Sequence, residues 1–238
     1  MKTLADLRVK IFADGADKAG MLEMYCNPLI KGFTTNPTLM RNAGVSNYEA
    51  FAHDILRAVP DRPISFEVFS DDFAEMEYQA RKIATWGDNV YVKIPVTNTW
   101  GESSAELVHN LARAGVKLNV TALMALDQVR DVSAALAGGA PAFVSVFAGR
   151  VADTGRDPVP LMAAAVDLVG LYPNVELIWA SPRELLNIFQ ADAIGCHIIT
   201  ATNDILKKLA LVCKDLHEYS LDTVRMFRED AVKAGYTL

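Results

Sequence analysis

With 238 residues, 51% of them hydrophobic and 22% charged, the chain holds enough apolar material for one well-packed unit and little for a second. A net charge of -6 argues against a nucleic-acid partner, which calls for a basic face. The three cysteines lack metal or redox spacing, the N-terminus lacks the apolar core of a signal peptide, and the longest uncharged stretch, residues 132–149, is broken by Gly138, Gly139 and Pro141, so a reducing cytoplasm is expected and a membrane span is not.

Short β-branched or aromatic runs recur along the chain, each followed by a longer segment of helical pattern. In order they are Val9–Phe12, Gly32–Thr35, Ile64–Phe69, Val90–Val96, Lys117–Thr121, Phe143–Phe147, Glu176–Ala180 and His197–Ala201. Asp72 to Trp86 is typical of the intervening stretches, with Phe73, Met76, Tyr78, Ala80 and Ile83 marking an amphipathic helix. Eight strand–helix units predict an α/β fold, a single-domain (β/α)8 TIM barrel over residues 1–238, which typically takes ~250 residues. The competing architecture is an open doubly wound sheet, against which stands the absence of a glycine-rich nucleotide loop. Beyond the eighth strand the chain is long enough for two helices where a barrel needs one. The surplus helix, residues 221–238 with Leu221, Val224, Phe227 and Ala231 on one face, either covers the barrel's own bottom or docks on a neighbouring subunit.

Polar groups interrupt the apolar strands at a fixed interval. Glu67, Lys93, Asn119 and Ser145 recur every 26 residues, which predicts equivalent depths in four successive units and convergence at the C-terminal mouth, where barrel active sites lie. Lys93 sits inside Val90-Tyr-Val-Lys-Ile-Pro-Val96. An ammonium forced out of water is disfavoured against the neutral amine, a nucleophile that forms Schiff bases with carbonyls. The other reading of Lys93 is an edge-strand lysine that blocks pairing with other chains. Glu67, in an equally apolar strand, must be paired or protonated, and Lys93 is the obvious partner. Asp14-Gly15 reads either as a turn or as a carboxylate at the end of the first strand; Asp17 reads as a helix cap. Asn36-Pro37 is a helix start with Asn as N-cap and Pro first in the helix. Ser181-Pro-Arg-Glu184 reads as a capping box whose free N–H groups favour an anion, the alternative being that Ser181 only caps and Arg183 pairs with Glu184. Phe147 alone reads as core packing. The four histidines are scattered, so no metal site is expected, and an amine that forms its own iminium electron sink leaves no cofactor to expect.

Seven stretches, taken together and in order, resemble the transaldolase family, in its small-subunit branch that includes the fructose-6-phosphate aldolases. They are Phe12-Ala-Asp-Gly-Ala-Asp17, Gly32-Phe-Thr-Thr-Asn-Pro37, Ser65-Phe-Glu-Val68, Val92-Lys-Ile-Pro-Val-Thr97, Leu118-Asn-Val-Thr121, Ser145-Val-Phe-Ala-Gly-Arg150 and Ala180-Ser-Pro-Arg183. The resemblance implies a Schiff-base enzyme that moves a dihydroxyacetone unit from fructose 6-phosphate or sedoheptulose 7-phosphate to an aldose phosphate. Lys93 matches the nucleophile, Asp14 the carboxylate that moves the C4 hydroxyl proton, and Glu67 with Thr121 the pair that shuttles protons through a water. Asn36, Asn119 and Ser145 match substrate-binding groups, while Arg150, Ser181 and Arg183 match the phosphate site. Glu67 and Phe147 stand where transaldolases carry Glu and Phe, whereas the direct aldolases, the alternative activity, carry Gln and Tyr. Pro182 replaces the usual aromatic, and Trp100 places an indole just past the lysine strand. Relatives of this size assemble as pentamers or decamers, so the resemblance also implies a homo-oligomer.

Overall fold

A computed structural model describes residues 2–237, so both ends of the expected 1–238 unit lie outside the described residues. Eight parallel strands close into a barrel in chain order: β1 (Lys10–Asp14), β2 (Ile30–Thr34), β3 (Ile64–Glu67), β4 (Val90–Pro95), β5 (Leu118–Leu123), β6 (Ala142–Val146), β7 (Val175–Trp179) and β8 (Ile198–Thr202). Helices alternate with them, which makes this a (β/α)8 barrel and removes the open-sheet alternative.

Strand side chains alternate between two faces, and here the alternation separates two cores. Outward residues such as Ile11, Phe33, Phe66, Val92, Val120 and Ile199 join the large cluster under the helices. Inward residues Phe12, Phe143, Ile178 and Ile198 form a second cluster inside the barrel, with Tyr91 and Phe147 against it. Tyr91 stacks on Phe143 at 4.0 Å between ring centres and Phe12 meets Phe143 edge-on at 5.8 Å, a floor of rings beneath the carboxyl ends of the strands. Gly32 is required there, because a Cβ at that position would lie 2.6 Å from the Phe12 ring.

Three of the helix starts read from sequence form as expected. Asp17, Asn36 and Asp72 each cap a helix by accepting from a backbone N–H three residues on, and Pro37 opens its helix. The last helix differs from its expected bounds of 221–238. It runs Leu216–Lys233, because Asp215 accepts from the N–H groups of His217 and Glu218 and so starts it a turn earlier. It buries no residue against its own barrel and leaves Leu216, Leu221, Val224 and Phe227 exposed, so it does not cover the barrel's bottom. Among the described residues no helix is long and apolar enough to cross a membrane.

Candidate active site

All eleven residues singled out from the sequence line one cavity of about 440 Å³ at the C-terminal mouth: Asp14, Asn36, Glu67, Lys93, Asn119, Thr121, Ser145, Phe147, Arg150, Ser181 and Arg183. Register explains the convergence. Glu67 pairs with Lys93 across β3 and β4, and Lys93 with Asn119 across β4 and β5, so these three do lie at one height. The equal-depth expectation fails at the fourth position: Asn119 pairs with Phe143, and Ser145 stands two residues further up β6. The stagger of a closed barrel accounts for the offset, and a shift of two keeps Ser145 on the inward face.

Lys93 is 6% exposed, and its Nζ lies 3.1 Å from Glu67 Oε2 and donates to the Thr35 carbonyl at 2.9 Å. It is no edge-strand lysine, since β4 is flanked by β3 and β5 and a closed barrel has no edge. Asp14, at the end of β1, accepts from Thr34 Oγ1 at 2.7 Å, and that hydroxyl is 2.6 Å from Thr200 Oγ1. Burial pushes the Asp14 carboxyl up from its ordinary 3.8, while the charge of Lys93 and the Thr34 hydroxyl pull the other way. A carboxyl raised by folding favours the native state while it is protonated, and that advantage is lost as pH climbs from 3.8 through the folded value. Asp14→Asn is therefore expected to raise the melting temperature at pH 7, with the gain vanishing below about pH 4. Thermal melts of both proteins from pH 3 to 8 check it; a variant less stable than wild type at pH 7 would sink it.

A line of hydrogen bonds crosses the interior above the ring floor. Ser145 Oγ donates to Asn119 Oδ1 at 2.7 Å, and Asn119 Nδ2 donates to Ser65 Oγ at 3.0 Å. Asn119 is thus held by a serine hydroxyl at each end of its amide. Thr121 differs: its hydroxyl is buried and makes no hydrogen bond among the described residues. Such a group is costly unless water or ligand reaches it. The next residue, Ala122, has φ 66° and lies in a bulge between Val120 and Leu123 against β6. Left-handed backbone in a residue with a Cβ costs about 1–2 kcal/mol, and bulges of this sort re-aim side chains beside active sites. Asn36 spends its Oδ1 on the cap to Leu39 N and still lines the cavity.

At the rim the expected capping box does not form. Ser181 has φ 56°, and the helix begins later, at Leu186. The N–H groups of Arg183 and Glu184 are taken by Asn187 Oδ1 at 2.8 and 3.1 Å, so they are not free for an anion. The cause lies in tertiary structure: the chain at Ser181 is bent against Gly149, where a Cβ would lie 1.6 Å from the Ser181 carbonyl oxygen. Nor does Arg183 pair with Glu184; its guanidinium forks onto both oxygens of Asp153, Nε to Oδ1 at 3.0 Å. Sequence reading missed Asn187, a local acceptor three and four residues on, and likewise Asp153, Thr34, Thr200 and Ser65, partners brought in from elsewhere in the chain.

Fold and cavity together define a (β/α)8 barrel built around a buried lysine at the carboxyl ends of its strands. The Transaldolase/Fructose-6-phosphate aldolase family model matches residues 11–238. A probable transaldolase of Dehalococcoides mccartyi is 35% identical over 205 residues, 84% of this chain and 90% of its own length. One from Thermoanaerobacter is 32% identical over 228 residues, covering 95% and 99% of the two chains. The chain belongs to the transaldolase/fructose-6-phosphate aldolase family. Among solved structures, a monomeric dihydrodipicolinate synthase variant superposes with a TM-score of 0.59 at 10% identity, over 94% of this chain and 79% of that one, a likeness of fold alone.

Proposed function

We propose that the protein is a Schiff-base transaldolase that transfers a dihydroxyacetone unit from fructose 6-phosphate or sedoheptulose 7-phosphate to an aldose phosphate. The observation that carries this reading is the buried amine of Lys93 between Glu67 and the Thr35 carbonyl, at the base of a cavity with two arginines at its rim. Lys93 Nζ passes a proton to Glu67 and adds to the ketose carbonyl carbon. Glu67 and the unsatisfied Thr121 hydroxyl, through a water, return protons to the departing oxygen, leaving an iminium. Asp14, whose burial raises its affinity for a proton, takes the C4 hydroxyl proton as the C3–C4 bond breaks, and the bonding electrons flow into the iminium. The aldehyde leaves, the three-carbon enamine attacks an acceptor aldehyde, and the same steps run in reverse. Asn36, Asn119 and Ser145 hold hydroxyls; Arg150, Ser181 and Arg183 hold the phosphate, Arg183 exchanging Asp153 for it. Phe147 offers no proton to the enamine, which favours transfer over release of dihydroxyacetone.

The test is intact-mass analysis after borohydride reduction with fructose 6-phosphate, followed by an erythrose 4-phosphate transfer assay. A reduced dihydroxyacetone adduct with acceptor-dependent turnover is expected. Free dihydroxyacetone formed without acceptor would replace transfer by direct aldol cleavage, and no adduct with any ketose phosphate would defeat the reading. We further propose a cytoplasmic homo-oligomer, pentamer or decamer, in which the exposed apolar face of Leu216–Lys233 docks on a second copy, because none of its residues is buried among the described residues. Phe227→Glu is then expected to lower the mass seen in sedimentation; an unchanged mass, or a monomeric wild type, would count against this helix as the interface.

A further inference from the structure

Alternate residues of a parallel strand turn their N–H and C=O groups to opposite neighbours. On β3 the odd-numbered positions face β2: Phe33 N–H donates to the Pro63 carbonyl at 2.8 Å and Thr35 N–H to the Ser65 carbonyl at 3.2 Å. The even positions face β4, with Ile64 N–H on the Asn89 carbonyl and Val68 N–H on that of Lys93. Glu67 is the next odd position, and β2 has ended before reaching it. The chain turns at Asn36 into the helix Pro37–Asn42, and proline has no N–H to give to the Glu67 carbonyl. The Thr35 carbonyl, which a continuing ladder would present to Glu67 N–H, accepts from Lys93 Nζ instead.

The hydroxyl of Tyr48 fills the place that β2 leaves. It accepts from Glu67 N–H at 2.7 Å and donates to the Glu67 carbonyl at 3.1 Å. Its ring is held edge-on by Phe66, Phe69 and Trp86, at 6.1, 4.5 and 5.8 Å between centres, so the hydroxyl cannot wander. From this geometry we infer that Tyr48 is a positioning residue: it closes the end of β3 so that the Glu67 carboxylate stays on the Lys93 amine. The inference rests on the Schiff-base reading of Lys93. It requires no contact between Tyr48 and substrate, only that the last residue of a four-residue strand be pinned on the side its neighbour has abandoned.

Tyr48→Phe removes the hydroxyl and keeps the ring, and is compared with wild type in adduct formation under borohydride and in acceptor-dependent turnover, each in the native and the Glu67→Gln background. In the native background, adduct formation and kcat are expected to fall about tenfold with KM for the ketose phosphate within twofold. In the Glu67→Gln background the same substitution is expected to cost less than twofold, because the carboxylate it positions is gone; a merely structural role would multiply the losses. A kcat within twofold of wild type, or an equal loss in both backgrounds, overturns the inference. If wild type forms no adduct, the Schiff-base reading fails and takes the inference with it, whereas an adduct formed equally fast by Tyr48→Phe defeats the inference alone. Amide exchange in the wild type tests it without any variant: Glu67 N–H is expected to exchange as slowly as Ser65 N–H, and exchange at the rate of the following loop overturns it.

Discussion

Lys93→Met is expected to abolish the reduced adduct and to lower transfer by at least about 10⁴-fold, the scale on which loss of a covalent nucleophile is felt. Lys93 is the single lysine that lines the cavity among the described residues, so no second amine is placed to take over. The substitution is also expected to cost stability, for an electrostatic reason. Lys93 is the cation against Glu67, and its charge also favours the ionised form of Asp14. Removing one partner of a buried pair costs about 3–5 kcal/mol when the other stays charged. Glu67 keeps some access to water, with 17% of its side chain exposed, so the loss here belongs at or below the low end of that range. Lys93→Met combined with Glu67→Gln is then expected to melt above Lys93→Met alone while remaining inactive. Intact mass, initial rates and thermal melts of the three proteins check this, and an adduct persisting in Lys93→Met would mean that another lysine is the nucleophile.

The strands and the polar residues facing inward were legible because both follow from a period of two. An inward polar group in an apolar strand stands out in a single chain, and a barrel then leaves it one place to point. What sequence could not reveal was set by contacts distant in the chain. Asp14 is held by Thr34, which touches Thr200, and nothing local marks those hydroxyls as partners. Ser181-Pro-Arg-Glu184 carries every local sign of a capping box, yet the acceptor is Asn187 and the backbone at Ser181 is left-handed, because packing on Gly149 overrides the local preference. Ala122 is similar: alanine gives no hint of a bulge, and only closure of β5 against β6 imposes one. Tyr48 belongs with them, as a helix residue whose hydroxyl completes a sheet it is not part of.

Gly149→Ala is expected to be the most damaging single methyl in the rim. The added carbon would sit 1.6 Å from the Ser181 carbonyl oxygen and 3.1 Å from Arg183 Nε, and the first of these is an overlap that no rotamer relieves, because the backbone fixes the Cβ and the oxygen is itself a backbone atom. The helix Ala148–Ala152 must then move away from the segment after β7. Those two pieces carry Arg150 on one side and Ser181 with Arg183 on the other, so the groups proposed to grip the phosphate are spread apart. Overpacking of this kind costs about 1–3 kcal/mol and sometimes more, which corresponds to a loss of roughly 2–12 °C in melting temperature. Lys93, Glu67 and Asp14 stand on β4, β3 and β1, away from the overlap, and the amine chemistry is expected to survive it. The signature is therefore a split between substrates: KM for a phosphorylated ketose rises at least about tenfold, while adduct formation with unphosphorylated dihydroxyacetone stays within about threefold, since a misplaced bidentate contact to phosphate is worth a factor of ten or more. Steady-state kinetics with both substrates decide it. Equal losses for the two would place the damage in the barrel as a whole, and an unchanged KM for the phosphorylated ketose would remove Arg150 and Arg183 from the phosphate site.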